Sequence, residues 1–303
     1  MKQYFVPAGE VAIWVRECGN PDRPTLMFVH GFPDDHRVWS SVIEQLESDY
    51  HILALDLRGA GNSTRPEDRR AYRIDRILPD FAAVLDAAAP GKKVHLIGHD
   101  WGSVLCWSFV SEPAYANRLA SYTSLSGPHV GLLWQWINQQ LRSGPSGIRK
   151  ALAQLSHSWY IFAIHVPKLP ETLFGPLGKW VWPHTMKQGG VPDDDDYLEH
   201  SEQEIRSVAL DTLQLYRQNV FSPPRLPEPG SITLPVQLIL LQQDPFVRPY
   251  IFSDIERYAV NLTRRTLEAS HWAPRSHPLQ VAQLIDRYPV SYTHLTLPTK
   301  RIV

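Results

Sequence analysis

The five residues Gly98-His99-Asp100-Trp101-Gly102 constrain the fold of this 303-residue chain more than any other segment. They end a strand-like run at Lys93–His99 and begin a helical pattern at Gly102–Val110. Glycines two positions before and after a central residue allow a sharp turn from strand to helix, because larger side chains would clash as the chain reverses. The sequence therefore predicts an elbow that presents the Asp100 side chain at the end of a strand, above a helix N terminus.

Strand-like and helical patterns alternate on both sides of this elbow, which is typical of a parallel sheet flanked by helices. The alternation stops after Pro128 and resumes at Val236. We therefore expect an α/β fold with a mostly parallel eight-stranded sheet, helices on both faces and a helical lid inserted after strand 6. The predicted parts are core residues 1–128, the lid at 129–226, core residues 227–289, and a tail at 290–303 that continues neither pattern and that we exclude as non-native.

The individual elements follow from apolar periodicity and from the positions of Gly and Pro. The predicted strands are Val11–Arg16, Thr25–His30, His51–Leu57, Lys93–His99, Leu119–Leu125, Val236–Leu241 and Leu262–Leu267. The predicted helices are Arg73–Ala89, Gly102–Val110, Ile205–Tyr216, Tyr250–Tyr258 and Pro278–Tyr288.

The composition excludes several classes of function. The net charge is −1, with acidic and basic residues mixed along the chain, so no electrostatic footprint indicates nucleic acid or an anionic membrane surface. Cys18 and Cys106 fit no metal or disulfide spacing, which suits a reducing compartment. No apolar run reaches membrane-spanning length. We expect a soluble cytoplasmic protein, and the sequence leaves its oligomeric state open.

An aspartate at the centre of the elbow favours one kind of chemistry. A carboxylate is anionic near neutral pH, and the amides of a helix N terminus favour that charge, so Asp100 needs no base to activate it. It suits displacement at saturated carbon, where the leaving group is an epoxide oxygen or a halide and the product is an alkyl-enzyme ester. Helix capping is the alternative role for Asp100 if the motif is taken alone.

Hydrolysis of such an ester requires a base that activates water. His271 follows the last predicted strand, and Asp244 follows the strand Val236–Leu241. We predict that His271 deprotonates water and that Asp244 fixes its tautomer and stabilises the imidazolium.

The segment His30-Gly31-Phe32-Pro33 follows the first buried strand. A tight turn there can aim the backbone N–H of Phe32 into the site beside that of Trp101, which predicts an oxyanion hole made of these two amides. His30, Phe32 and Trp101 are expected to line an apolar substrate pocket. An ordinary turn is the alternative.

Taken together, HGFP at residues 30–33, GHDWG at 98–102, Asp244 and His271 resemble the α/β-hydrolase-fold epoxide hydrolases, over roughly residues 4–289. The chain order of nucleophile, acid and histidine is that of α/β hydrolases. Haloalkane dehalogenases share these motifs, so the motifs leave dehalogenation open as an alternative activity.

The resemblance extends to two tyrosines that separate these activities. Family epoxide hydrolases carry two lid tyrosines that donate hydrogen bonds to the epoxide oxygen, and Tyr160, seven residues before Pro167, and Tyr216 match their positions. An alkoxide is a poor leaving group that must be stabilised and protonated, whereas a halide needs no proton. His165 stands where the family usually has glutamine, and we expect it in the substrate pocket.

The resemblance implies an enzyme that converts a small apolar epoxide into a vicinal diol without a cofactor or metal. The likeness is to the hydrolase module of bacterial two-domain proteins, which implies a short-chain dehydrogenase domain after residue 289 of the full-length gene. This chain contains no Gly-rich nucleotide fingerprint, so no nicotinamide cofactor is assigned to it. A non-catalytic ligand receptor is a third hypothesis, which the complete set of Asp100, Asp244 and His271 disfavours.

Overall fold

A computed structural model describes residues 1–295, with the backbone alone for 289–295. It contains an eight-stranded sheet with the order β1-β2-β4-β3-β5-β6-β7-β8. The pairs β1–β2 and β2–β4 are antiparallel and the other neighbours are parallel, which confirms the predicted sheet. The strands are β1 (Lys2–Ala8), β2 (Val11–Gly19), β3 (Thr25–Val29), β4 (His51–Leu55), β5 (Val94–His99), β6 (Leu119–Leu125), β7 (Val236–Leu241) and β8 (Leu262–Leu267).

Burial explains which strands the sequence reveals. Every residue of β3, β4 and β7 is buried, as expected for parallel strands covered on both faces, and such strands read as continuous apolar runs. The edge strand β1 buries only Val6 and Ala8, so it lacks a clear apolar pattern, and the sequence analysis does not identify it. Central strands are therefore easier to predict than this edge.

Helices cover the sheet and fill the stretch between β6 and β7. The helix α3 that follows the elbow is buried from Trp101 to Val110, so it is apolar on every side. The helices are α1 (Ser40–Glu44), α2 (Ile74–Ala88), α3 (Trp101–Ser111), α4 (Pro113–Ala116), α5 (Val130–Arg142), α6 (Pro145–His157), α7 (Trp159–His165), α8 (Leu169–Phe174), α9 (Gly178–Gln188), α10 (Glu202–Ile205), α11 (Gln214–Asn219), α12 (Ala273–Ser276) and α13 (Pro278–Leu295).

Helices α5 to α11 all lie between β6 and β7, and we call residues 126–235 the lid segment. The sequence predicts one helix over Ile205–Tyr216, but the structure has α10, a π-helical stretch at Arg206–Asp211 and then α11. π-helical turns widen the helix and are frequent at functional sites. This one immediately precedes the helix that carries Tyr216.

Two other predicted helices differ from the observed ones. The predicted helix Tyr250–Tyr258 is wrong, because the chain forms two short 3-10 turns, Pro249–Phe252 and Ile255–Arg257. The buried residues Ile251, Phe252, Ile255, Tyr258 and Ala259 keep the apolar spacing of an α-helix, which is why the sequence predicts one, and this spacing alone does not distinguish an α-helix from successive 3-10 turns. The helix predicted to end at Tyr288 reaches Leu295, and the rest of the predicted tail, 296–303, lies outside the described residues.

Within residues 1–295, no helix combines the length and apolar character that crossing a membrane requires.

A buried ion pair fixes the loop after β4 to α2. Arg58 donates to Asp80 from Nε at 2.8 Å and from Nη2 at 2.6 Å, and the two side chains are 4% and 2% exposed.

Replacing Asp80 with Ala should lower the free energy of unfolding by about 3–5 kcal/mol, because it leaves the Arg58 charge buried without its partner. The matched control is Asp86→Ala, which removes the partner of Arg118 from a pair whose side chains are 69% and 27% exposed. That change should cost less than about 1 kcal/mol. Urea unfolding at neutral pH measures both, and equal losses would contradict the assignment.

Candidate active site

The elbow adopts a backbone conformation that few residues tolerate. Asp100 has φ 50° and ψ −123°, which places it outside the common regions for a side chain with a Cβ atom. A Cβ on Gly98 would lie 2.7 Å from Cα of Ser103, and one on Gly102 would collide with the carbonyl oxygen of Val29. The two glycines therefore let the chain reverse against its own helix and against β3, as the motif predicts.

Two further glycines make room for Asp100 itself. A Cβ on Gly31 would lie 2.8 Å from Cγ of Asp100, and one on Gly127 would collide with the Asp100 carbonyl oxygen. Gly31 belongs to the HGFP turn, but no pattern in the sequence identifies Gly127. Three separated segments thus meet at Asp100, and each contributes a residue without a side chain.

Backbone amides bond to the Asp100 carboxylate. The N–H of Phe32 donates to Oδ1 at 2.7 Å, and the N–H of Trp101 also bonds to the carboxylate. The Phe32–Pro33 peptide bond is cis. The two amides predicted for the oxyanion hole therefore converge on Asp100, and the other oxygen, Oδ2, faces His271.

His271 and Asp244 lie where the sequence predicts them. Nδ1 of His271 donates to Oδ2 of Asp244 at 3.0 Å, and Nε2 is 3.6 Å from Oδ2 of Asp100. Asp244 also accepts hydrogen bonds from the Ser126 hydroxyl at 2.7 Å and from the backbone N–H of Phe246 at 2.8 Å. Burial alone would raise the pKa of Asp244, but the charge and hydrogen bond of His271 hold it below its ordinary value.

The charges of this buried triad are coupled. Burial opposes a charge on His271, yet Asp244 and then Asp100 raise the pKa of the imidazole to about 9. Burial also raises the pKa of Asp100, and it is opposed chiefly by the positive charge of His271. Near neutral pH, imidazolium and carboxylates therefore stabilise each other's charges.

Tyr160 on α7 and Tyr216 on α11 contact each other beside Asp100. Their ring centroids are 6.2 Å apart at an interplanar angle of 84°, and the Tyr216 ring also packs against Trp101 at 4.9 Å. Burial raises the pKa of both phenols above the ordinary value, with the negative charge of Asp100 adding to it, so both remain protonated donors.

Two cavities adjoin this group, and Asp100, Tyr160, Tyr216 and Phe246 line both. Cavity A has a volume of about 70 Å³ and cavity B about 180 Å³. The walls of cavity A include Trp101, Val130, Leu133, Gln154, Ile161 and Val220. The walls of cavity B include Phe32, Trp159, Ile164, Phe174, His271 and Trp272. Mostly apolar walls with a few convergent polar groups are typical of small-molecule sites.

Two predicted pocket residues line neither cavity. His30 is fully buried and accepts the N–H of Leu57 on Nε2 at 2.9 Å, so it connects the HGFP turn to the loop after β4. His165 bonds through Nδ1 to the carbonyl oxygen of Ile161 at 2.7 Å. Five residues along an α-helix correspond to a rotation of about 140°, so His165 and Tyr160 cannot face the same side of α7.

A buried polar network behind His271 was not predicted. Oδ1 of Asp34 accepts from the Tyr197 hydroxyl and from Nε1 of Trp272, each at 2.9 Å. His99 lies 3.7 Å from Oδ2 of Asp34 and donates from Nε2 to the His271 carbonyl oxygen at 3.0 Å. Two signals for it were present in the sequence: Asp34 directly follows HGFP, and His99 lies inside GHDWG. The network connects the elbow, the HGFP turn, the lid segment and the loop after β8 that carries His271.

Among residues 1–295, no group of three or more His, Cys, Asp or Glu side chains is arranged to hold a metal ion.

Comparisons with known proteins agree with this fold. A family model described as alpha/beta hydrolase fold matches residues 24–278. The chain is 34% identical over 284 residues to the probable oxidoreductase EphD of Mycobacterium tuberculosis, which covers 92% of this chain and 48% of that protein. The chain thus spans about half the length of its mycobacterial relatives.

Two other similarities cover most of both proteins. Epoxide hydrolase 4 of Homo sapiens is 28% identical, with 88% of this chain and 73% of that protein covered. A solved structure of an epoxide hydrolase from Bacillus megaterium is 25% identical with a TM-score of 0.76, and it covers 94% of this chain and 99% of that one.

The His271 pKa of about 9 predicts a pH-dependent stability. A folded-state pKa above the unfolded value of about 6.5 gives stabilisation that is complete below pH 6.5 and is lost as the pH rises through 9. The difference in unfolding free energy between wild type and His271→Gln should therefore shrink by on the order of 3 kcal/mol over that range.

Urea unfolding at pH 6 to 10 measures this difference, and Leu279→Ala, at an exposed non-titrating residue, should run parallel to wild type. A wild-type to His271→Gln difference that stays constant with pH would show that the histidine has no raised pKa.

Proposed function

The chain belongs to the alpha/beta hydrolase fold family, and we propose that it is an epoxide hydrolase that converts epoxides into vicinal diols. One observation carries the proposal: Tyr160, Tyr216 and the elbow aspartate Asp100 line the same two apolar cavities. This arrangement offers a nucleophile for the ring carbon and two donors for the ring oxygen. A dehalogenase has no need of two phenols, because halide leaves without a proton.

In the first step, Oδ2 of Asp100 attacks a carbon of the epoxide ring. A carbon–oxygen ester bond forms and the ring carbon–oxygen bond breaks, so negative charge develops on the former ring oxygen. Tyr160 and Tyr216 donate hydrogen bonds to that oxygen and supply the proton that converts it into a hydroxyl. Oδ1 remains bonded to the Phe32 amide and becomes the carbonyl oxygen of the ester.

In the second step, water attacks the ester carbon while His271 accepts its proton. The tetrahedral intermediate carries its negative charge on Oδ1, which the amides of Phe32 and Trp101 stabilise. Ester formation has neutralised Asp100, and because the Asp100 charge is one cause of the raised pKa of His271, that pKa falls. His271 therefore returns its proton to the tyrosinate left by the first step and becomes the neutral base that takes the proton of the attacking water.

When the intermediate collapses, the bond between the Asp100 carbonyl carbon and the diol oxygen breaks, and the diol oxygen takes that proton from His271. Asp100, left as a carboxylic acid, gives its proton to His271, which restores the starting carboxylate and imidazolium.

The names of the relatives support this reading. The human relative is called epoxide hydrolase 4, and the Bacillus megaterium enzyme is described as an epoxide hydrolase in complex with a propane-1,2-diol product. The substrate proposed for this chain is a small apolar epoxide, since both cavities have predominantly apolar walls.

Cys18 and Cys106 are both free and buried, which suits a reducing compartment such as the cytoplasm.

The variant His271→Gln should accumulate the ester, because Asp100 can still open the ring while water lacks its base. Intact-protein mass spectrometry should show an adduct of the mass of an aryl epoxide that the wild type hydrolyses. The double variant Asp100→Asn with His271→Gln is the matched control and should show none. Absence of the adduct in the single variant would contradict a covalent Asp100 ester.

Replacing both Tyr160 and Tyr216 with Phe should lower kcat/KM for an aryl epoxide by at least about 1000-fold, since each lost donor to developing charge costs about 10²–10³-fold. Tyr115→Phe, which removes a hydroxyl from α4 outside both cavities, should retain wild-type rates. Diol formation and bromide release from a bromoalkane are measured side by side. Wild-type bromide release without diol formation would identify a dehalogenase instead.

A further inference from the structure

The outer part of the lid segment exposes an unusual number of large apolar side chains. Of the fifteen exposed large hydrophobic residues in the described chain, nine lie within residues 141–180. The most exposed are Trp180 at 81% and Trp159 at 67%. The nine are Leu141, Ile148, Leu152, Trp159, Phe162, Val166, Leu169, Leu177 and Trp180. Monomeric soluble proteins rarely expose extended apolar surface without a function.

The same stretch is strongly basic, although the chain as a whole is neutral. Residues 141–188 contain six Lys and Arg residues and one acid, Glu171. Arg217 neutralises that acid at 2.7 Å. Lys179 and Lys187 pair with carboxylates that follow in the sequence, Glu202 and Asp193.

The four remaining cations of the stretch have no carboxylate partner in the described part of the chain: Arg142, Arg149, Lys150 and Lys168. The balanced net charge therefore conceals a local segregation of charge. The expectation that no electrostatic footprint indicates an anionic membrane surface rests on the charges of the whole chain, and residues 141–188 depart from that average.

Exposed apolar side chains lie on or beside three helices that pack together, α7, α8 and α9, and the exposed cations Lys168 and Lys179 lie between or at the start of these helices. α8 contacts both α7 and α9. The turn between α7 and α8 exposes four consecutive residues, Val166-Pro167-Lys168-Leu169, and Lys168 in it has φ 66°. After α8, Leu177, Lys179 and Trp180 are exposed in the same way. We call the exposed residues of 159–180 the tip surface.

The tip surface is continuous with the mouth of cavity B. Helices α7, α8 and α9 supply much of the wall of this cavity. Trp159 lines cavity B and is also 67% exposed, so it lies where the cavity meets solvent. An apolar molecule that reached the tip surface would therefore be at the entrance to the site.

We propose that the tip surface docks onto an anionic lipid bilayer, with Trp159, Trp180 and the neighbouring aliphatic side chains in the headgroup region and Lys168 against lipid phosphates. Amphipathic surfaces with Trp and Leu beside Lys and Arg bind bilayers in this way, and the tryptophan ring favours the interface. A second copy of the chain is a poorer occupant, because a two-fold interface would bury Lys168 without a free carboxylate partner, since Glu171, the acid of this surface, already pairs with Arg217.

Docking would place the entrance of cavity B against the membrane, so that an apolar substrate could enter without crossing water. This consequence rests on the proposed epoxide hydrolase function, whereas the docking itself does not. Vesicle binding therefore tests the surface whether or not the chain hydrolyses epoxides.

The experiment measures co-sedimentation of the full chain with phosphatidylcholine vesicles and with vesicles of equal parts phosphatidylcholine and phosphatidylglycerol. We expect at least ten-fold tighter binding to the anionic vesicles, weakened as NaCl rises from 0.05 to 0.5 M. The double variant Trp180→Ala with Lys168→Glu should bind them at least ten-fold more weakly, since a single Lys near the surface contributes about five-fold.

The matched control is Phe5→Ala with Lys93→Glu, which removes an exposed aromatic ring and reverses a charge on the sheet domain. It should bind within two-fold of wild type, and the thermal unfolding midpoints of both double variants should match the wild-type midpoint.

Three results would overturn the proposal: no sedimentation with either vesicle, equal loss in both double variants, or no preference for anionic lipid. A fourth result would also overturn it: analytical ultracentrifugation without vesicles that shows a dimer for the wild type and a monomer for the double variant Trp180→Ala with Lys168→Glu. That outcome would assign the tip surface to a second copy of the chain.

Discussion

The bond from the Phe32 amide to Oδ1 of Asp100 is the interaction on which the rest of the site depends. A buried carboxylate is costly unless its charge is matched, and here burial raises the pKa of Asp100. Two amides and the His271 imidazolium oppose this rise, and the surrounding glycines allow these groups to approach Asp100 closely. The same amides then suit the charge that develops on Oδ1 during ester hydrolysis, so one arrangement serves both proposed steps.

The polar network around Asp34 explains how segments that are far apart in the sequence keep fixed positions relative to one another. Asp34 follows the HGFP turn, Tyr197 belongs to the lid segment, and Trp272 is the neighbour of His271. His99, inside the elbow, donates to the backbone of His271. A displacement of any one segment would leave a buried polar group without its partner, which typically costs about 1–3 kcal/mol. The positions of His271 and Asp100 are therefore coupled to the position of the lid segment.

The lid segment carries two distinct surfaces. Its inner side contributes Tyr160 and Tyr216 to the cavities next to Asp100, and its outer side carries the tip surface. Trp159 and Tyr160 are adjacent in sequence, so residues at the start of one short helix serve both sides. The side chains beside Asp100 and the entrance to cavity B are thus positioned by the same few helices.

The sequence by itself determined the central strands and the elbow, and it predicted that Asp100, Asp244 and His271 come together, because buried parallel strands are apolar throughout and an elbow requires glycines at fixed spacing. It did not determine β1, whose exposed edge has a weak pattern, or the placement of His30 and His165, which depends on which way a side chain faces. The Asp34 network and the tip surface were decided only by tertiary structure. Each brings together residues far apart in sequence, or depends on which charges find a partner, and neither property is encoded at any single position.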